Sequence, residues 1–162
     1  MKMQQRNLAR YRAFMWVLLI LSLAVSGCTN IRLIADYDET TDKAVTELQR
    51  KISTFLIDVE SKLGTSEAGH DKYAETYKEL RVDIGAIELR VNALPKNKIT
   101  QDQVESLKAN IILLESLHKT GFANGIDNQK TILSSVQKDF DVALAAILKL
   151  ELAKRRGDEP QE

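Results

Sequence analysis

His70 and His118 are the only imidazoles in the chain. With carboxylates at Glu67, Asp71 and Glu115, they offer the donor types that zinc takes. Their spacing fits no metal-binding helix: there is no HExxH, and no Glu-x-x-His pair repeated on two helices. His70 is expected as an exposed loop residue, and His118 as one satisfied by solvent or by a helix C-terminus. Tyr73 and Tyr77 lie one helical turn apart and could line a ligand slot between helices. The same spacing suits core tyrosines whose hydroxyls reach the rim. Asp36, Asp38 and Asp42 lack the glycine and terminal glutamate of a calcium loop, and read as acids at the positive end of a helix dipole. No Gly-rich phosphate loop occurs, and no Ser, Thr or Lys stands in a nucleophile pattern. No catalytic residue, metal or cofactor is therefore assigned.

Charge and cysteine usage narrow the classes further. All 23 acids follow residue 28, whereas Lys2, Arg6, Arg10 and Arg12 precede it. Without the first 27 residues, 19 bases face 23 acids, a net charge of about −4. That balance argues against nucleic acid as a partner, because phosphate binding needs a basic face. The single cysteine, Cys28, rules out an intrachain disulfide and a cysteine-based metal site.

The N-terminus carries the most specific pattern. Residues 1–12 hold four bases and no acid, residues 13–25 are apolar or small apart from one serine, and Ser26, Gly27 and Cys28 follow. This is the arrangement of a cleavable secretory signal. The run falls short of the roughly 20 apolar residues that span a bilayer. Val25-Ser26-Gly27-Cys28 resembles the lipobox of bacterial lipoproteins. The resemblance covers only the first 28 residues, and Val25 stands where leucine is more usual. It implies cleavage before Cys28, a diacylglycerol on its thiol and an acyl group on the new amine, with no other cofactor. Two or three acyl chains hold a domain durably where one holds it only marginally. In Gram-negative members of that class the next residue helps to set the destination. Thr29 and Asn30, with no aspartate after the cysteine, imply the outer membrane facing the periplasm.

The elements that would stand behind such an anchor are helices. Val45, Leu48, Ile52, Phe55 and Val59 are spaced as a heptad seam, within a helix expected from about Asp38 to Leu63 and closed by Gly64. A second seam, Tyr73, Tyr77, Leu80, Ile84, Ile87, Val91 and Leu94, predicts a helix from about Glu67 to Leu94, ended by Pro95. Within it Gly85 and Ala86 could admit a close neighbour. Thr100 and Gln103 read as a capping box, with Ile99 stapled onto Val104. They open a third helix whose seam is Val104, Leu107, Ile111 and Leu114, widened by Ile112, Leu113 and Leu117 and ended by Gly121. The fourth is expected from about Asp127 to Arg156, with Leu133, Val136, Phe140, Ala143, Ile147 and Leu150 inward and Ile132, Leu144 and Leu148 beside them.

Short loops between long helices predict an all-α, elongated, antiparallel up-down-up-down four-helix bundle, with three helices and one splayed helix as the alternative. The domain reading is a signal peptide at 1–27, a lipid-anchored tether at 28–37, the bundle at 38–156 and a polar tail at 157–162. That topology gathers Lys96, Lys98, Lys154, Arg155 and Arg156 at the membrane-facing end, where they could meet anionic headgroups. Their placement at helix C-termini is equally a dipole effect, and nearby acids offset the field. The function expected is a non-enzymatic lipoprotein that binds a partner protein, self-associates through exposed heptads or supports the envelope. A small-ligand or metal carrier with a site between helices is the alternative, and an enzyme ranks last.

Overall fold

Asp38 opens the first helix by turning its carboxylate back over the new N-terminus. Its Oδ2 accepts from the Thr41 amide at 3.2 Å, satisfying a donor that the helix itself cannot. In this computed structural model, which describes Met15, residues 34–122 and residues 125–158, α1 runs Glu39–Ser61. Two 3-10 turns follow, Ser66–Ala68 and His70–Tyr73. They lead into α2, Ala74–Ala93, then α3, Lys98–Lys119, and α4, Ile126–Asp158. The chain divides into two units, residues 1–33 and residues 34–162, and all four helices belong to the second. Apart from Met15, the expected signal segment lies outside the described residues, as do Val25, Ser26, Gly27, Cys28 and the tether up to residue 33.

The described residues form an all-helical bundle with no strand. α1 packs on α2 and α4, and α3 packs on the same two. This leaves no splayed helix in the set. The core is the seams: Val45, Leu48, Ile52, Phe55 and Val59 from α1, Tyr77, Leu80, Ile84, Ile87 and Val91 from α2, Val104, Leu107, Ile111 and Leu114 from α3, and Leu133, Phe140, Leu144 and Ile147 from α4. Apolar residues repeating every three or four positions bury one stripe of each helix, and burial of each large side chain contributes roughly 1.5–3 kcal/mol.

Several boundaries differ from expectation. α2 begins at Ala74, because the segment from Ser66 to Tyr73 forms tight turns around Gly69 instead of helix. α3 begins at Lys98, with Asn97 as an N-cap whose side chain makes no capping bond, so Thr100 lies inside the first turn and forms no capping box. α4 continues through Gly157 and Asp158, which were expected in the polar tail. Ile112 and Leu113 are exposed and do not widen the α3 seam. Pro95 does end α2: Leu94 takes the extended conformation that a following proline demands.

Two glycines make opposite points. Gly64 holds φ +83, a left-handed turn that favours glycine, whereas the Ile126 Cδ1 that a Cβ would meet at 2.8 Å is the end of a side chain able to move aside. Gly85 is mid-helix with no atom within 4 Å of an added Cβ, although glycine in a helix interior costs roughly 1 kcal/mol relative to alanine.

Candidate functional site

Polar groups gather inside the bundle at two places, one where residues 35–41, 97–100 and 151–154 meet, the other around His118. In the first, Lys154 and Glu151 are 3% and 1% exposed. A buried ammonium needs three acceptors, and Lys154 Nζ has them: Glu151 Oε1 at 2.5 Å, Asn97 Oδ1 at 2.8 Å and Thr100 Oγ1 at 2.9 Å. Asn97 turns its other end to α2, donating Nδ2 to the Val91 carbonyl at 3.1 Å. Glu151 Oε2 accepts from the Asp38 amide at 3.3 Å. Asp38 meets Arg90 through two contacts of 2.6 Å and accepts from Thr41 Oγ1 at 2.5 Å. The Arg90 guanidinium holds the Asp38 carboxyl down at about 2, with help from Thr41 against the opposing effect of burial. Beside it the Ala35 amide donates to the Lys96 carbonyl at 3.0 Å. The segment entering the bundle is thus fastened at two points to α2 and the loop after it.

This overturns one expected role. Lys154 is inside the bundle and cannot serve as a surface contact. Lys96, Lys98, Arg155 and Arg156 are exposed. Lys98 pairs with Asp102, and the Arg155 guanidinium sits 5.7 Å from the Tyr37 ring centre.

The second cluster is built of rings. Phe55, Tyr73, Tyr77, His70 and Phe122 all contact the His118 ring, with centroid separations of 4.7–6.1 Å. His118 is buried. Its Nε2 donates to the Ala68 carbonyl at 2.7 Å, because a carbonyl can only accept, and Nδ1 therefore accepts from the Tyr77 hydroxyl at 2.9 Å. Burial lowers the His118 pKa and raises that of Tyr77, so both stay neutral at physiological pH. Phe122 stacks on His118 at 4.7 Å in a left-handed backbone conformation, φ 58, that a bulky residue adopts only when its surroundings impose it. His70, expected as an exposed loop residue, stacks on Tyr77 at 5.3 Å and donates to Glu115 at 3.4 Å. Glu115 also receives Arg81 and Lys119. Burial acts to raise its carboxyl, but these donors outweigh it and hold it below the usual range. Nor is His118 left to solvent: both ring nitrogens are engaged within the protein. Glu67 pairs with Lys72 instead of joining the histidines, and the exposed Asp71 reaches only His70, at 3.7 Å. Among the described residues no group of three or more His, Cys, Asp or Glu side chains is arranged to hold a metal.

Tyr73 and Tyr77 separate. Tyr73 edges an open groove of about 300 Å³ between α1 and α2, over Phe55 and Leu80 and beneath Arg50, Lys51 and Glu79. Its hydroxyl donates to Asp58 at 2.7 Å. Tyr77 points into the core and does not line that groove. A second hollow of about 290 Å³ lies among Leu63, Ala68, His118, Phe122 and Ile126.

Glu151 and Lys154 were missed as buried residues, although their spacing signals it. Phe140, Leu144, Ile147, Glu151 and Lys154 continue one 4, 3, 4, 3 series, so the pair sits where the heptad puts core residues. Chemically, both clusters lock elements together: each hydrogen-bonding atom of His118 and each proton of the Lys154 ammonium already has a partner. Compared with known proteins, the chain shows no significant match to a family model, a curated protein or a solved structure.

Proposed function

We propose that this chain is a membrane-anchored bacterial lipoprotein whose helical bundle is a non-enzymatic module for protein interaction or structural support in the cell envelope. The observation that carries the reading is Val25-Ser26-Gly27-Cys28 at the end of an apolar run, followed within a few residues by a bundle whose first segment is tied down at Ala35 and Asp38. The tie supports an anchor role, since a lipid-held chain must pass its attachment to the folded body. No helix among the described residues is long and apolar enough to cross a membrane, and attachment in this reading rests on the lipid at Cys28. The commitment of His118, Tyr77, Glu151 and Lys154 to internal bonds supports a structural use of the groups best suited to catalysis.

We also infer up-down-up-down topology. Asp38–Arg90, Lys51–Asp83 and Asp58–Tyr73 pair rising positions on α1 with falling positions on α2 and the turn before it. Glu88–Lys108 and Arg81–Glu115 do the same between α2 and α3. The contacts of α4 with Asp38, Asn97 and Thr100 put its C-terminal part beside the entry to the bundle. In this arrangement the entry end faces the membrane, with Lys96, Lys98, Arg155 and Arg156 available to headgroups. In a Gram-negative cell, Thr29 directs the protein to the outer membrane, facing the periplasm.

Metabolic labelling with an alkyne fatty acid, followed by fractionation, tests this. Wild-type chain is expected to be labelled and sediment with membranes, and Cys28→Ala to be unlabelled. Unlabelled wild-type chain, or label that survives Cys28→Ala, would overturn it.

A small-ligand carrier is the second reading, favoured by the groove at Tyr73 and by the convergence of His70 and His118 to 5.7 Å. It expects a compound that raises the thermal midpoint of wild type and leaves a Tyr73→Ala variant unmoved.

A further inference from the structure

Residues 65–72, which carry the chain from α1 toward α2, hold their own shape but barely hold to the bundle. Their backbone bonds close within three positions: the Thr65 amide to the Lys62 carbonyl, Ala68 to Thr65, Gly69 to Ser66 and Lys72 to Gly69. Six of these eight residues are exposed, and only Ala68 and His70 are sheltered. Among the described residues, the hydrogen bonds that tie them to the helices are made by two imidazoles. His118 Nε2 donates to the Ala68 carbonyl at 2.7 Å, and His70 reaches Glu115 at 3.4 Å while its ring stacks on Tyr77. Ala68 and Gly69 also share a hollow with His118 and Phe122. At the α2 end, the Tyr73 hydroxyl is held by Asp58.

We propose that residues 65–72 are an acid-released strap: neutral His118 holds them down, and a proton on its Nδ1 lets them lift and opens the rings beneath to solvent. In the closed state Nδ1 accepts from the Tyr77 hydroxyl at 2.9 Å. A proton there sets a donor against a donor. The hydroxyl must turn to accept, and its own hydrogen loses the acceptor it had. The new charge is also buried, and among the described residues no carboxylate pairs with it. His70 and Tyr73 face it from the turns and Tyr77 from α2. Glu115, nearby on α3, is engaged by His70, Arg81 and Lys119. Asp58 of α1 is shared by Lys62 and Tyr73. In the strap itself, Glu67 pairs with Lys72, and the exposed Asp71 reaches only His70. α4 brings the neutral Ile126 and Gln129 to the hollow. Lifting the strap gives the imidazolium water at the cost of the Ala68 bond. Burial lowers the His118 pKa in the closed state, so protons favour the open one. A charged His70 binds Glu115 more firmly, so His118 drives release and His70 resists it. The inference goes beyond the reading of the bundle as an anchored module, because it gives that module a condition for exposing aromatic surface. It does not depend on the lipid on Cys28.

Amide hydrogen exchange of the full chain in detergent, followed by NMR at pH 7 and pH 5, tests it. Protection factors, which correct for the pH dependence of intrinsic exchange, register the opening even when the open state is rare. Those of the Ala68, Gly69 and Lys72 amides are expected to fall roughly 5- to 25-fold from pH 7 to pH 5, the range that uptake of one proton near pH 6.5 allows. They should be insensitive to low denaturant, because a local opening exposes little surface. His118→Phe, which keeps a ring against Phe122, should remove the pH dependence. Tyr77→Phe, which removes the opposing donor, should reduce it. Ring-nitrogen shifts of wild-type His118 should show the neutral form with its proton on Nε2 at pH 7. Unchanged protection of residues 68–72 at pH 5 would overturn the proposal. So would a charged His118 ring while those amides stay protected, or a pH dependence that survives His118→Phe. An Ile84 amide that loses protection equally, with the same response to denaturant, marks unfolding of the whole bundle and would overturn it too. Cys28→Ala should behave as wild type here, so failure of the lipid reading leaves this result untouched.

Discussion

The bundle solves the same problem, polar groups in an apolar interior, in two different ways. Around Lys154 the groups are ionic: ammonium, carboxylates and a guanidinium, arranged so that opposite charges touch. Around His118 they are neutral: a phenol, an imidazole and a peptide carbonyl in a chain, packed between aromatic faces. Ion pairs gain more from contact but lose more on leaving water, and a partner's loss strands a buried charge. A neutral chain risks less at each link. The two regions should therefore differ in their sensitivity to mutation and in their response to pH.

The largest effect is expected from Lys154→Met, which leaves Glu151 buried with no cation and should lower stability by roughly 3–5 kcal/mol. Denaturant unfolding measures it, and adding Glu151→Leu should recover at least half. Equal losses for single and double variants would break the comparison at its ionic side. Tyr77→Phe removes the donor to His118 Nδ1 and should cost roughly 1–3 kcal/mol.

Acidification sharpens the contrast. The folded His118 has a lowered pKa, so the unfolded chain takes up its proton first, near pH 6.5. The stability of the ring cluster should fall as pH drops below that value, and His118→Phe should remove this part of the slope between pH 7 and 5. The Asp38 carboxyl behaves oppositely in range. Its pKa of about 2 lies below the unfolded value, so its contribution is complete above about pH 4 and is lost as pH falls through 2. Asp38→Asn keeps an N-cap acceptor and loses the ionic contact. Because Arg90 is 44% exposed, solvent screening limits the expected loss at neutral pH to about 1–2 kcal/mol, and the difference from wild type should vanish near pH 2. The smallest effect lies outside both regions. Gly85→Ala should stabilise the bundle by up to about 1 kcal/mol and leave both pH responses unchanged.

What could be read from the sequence follows the same division. The apolar seams were legible because burial of one helical stripe is a local, periodic property, and Leu48, Ile84 and Ile111 are buried where the spacing puts them. Local signals failed where a distant partner overrode them. Thr100 fits a capping box, but Glu151 and Lys154 take its hydroxyl into the interior. Tyr73 heads the second seam and the helix is expected from about Glu67, yet the Ala68 carbonyl accepts from His118 and the segment before Ala74 forms tight turns. Lys154 belongs to a run of three bases, which ordinarily marks a solvated end, and only its heptad spacing from Ile147 betrays it. His70 and His118 come together through elements 48 positions apart in sequence, which no spacing rule reaches.

The fastening at Ala35 and Asp38 has a mechanical consequence. Tension arriving along the chain at residue 34 meets the Ala35–Lys96 hydrogen bond and the Asp38–Arg90 fork before it can unwind the first turn of α1. The load is then shared with α2 directly, and with α4 through the Asp38 amide and Glu151. A pull on one strand of chain becomes a load on three helices, and the first of them is spared from peeling turn by turn.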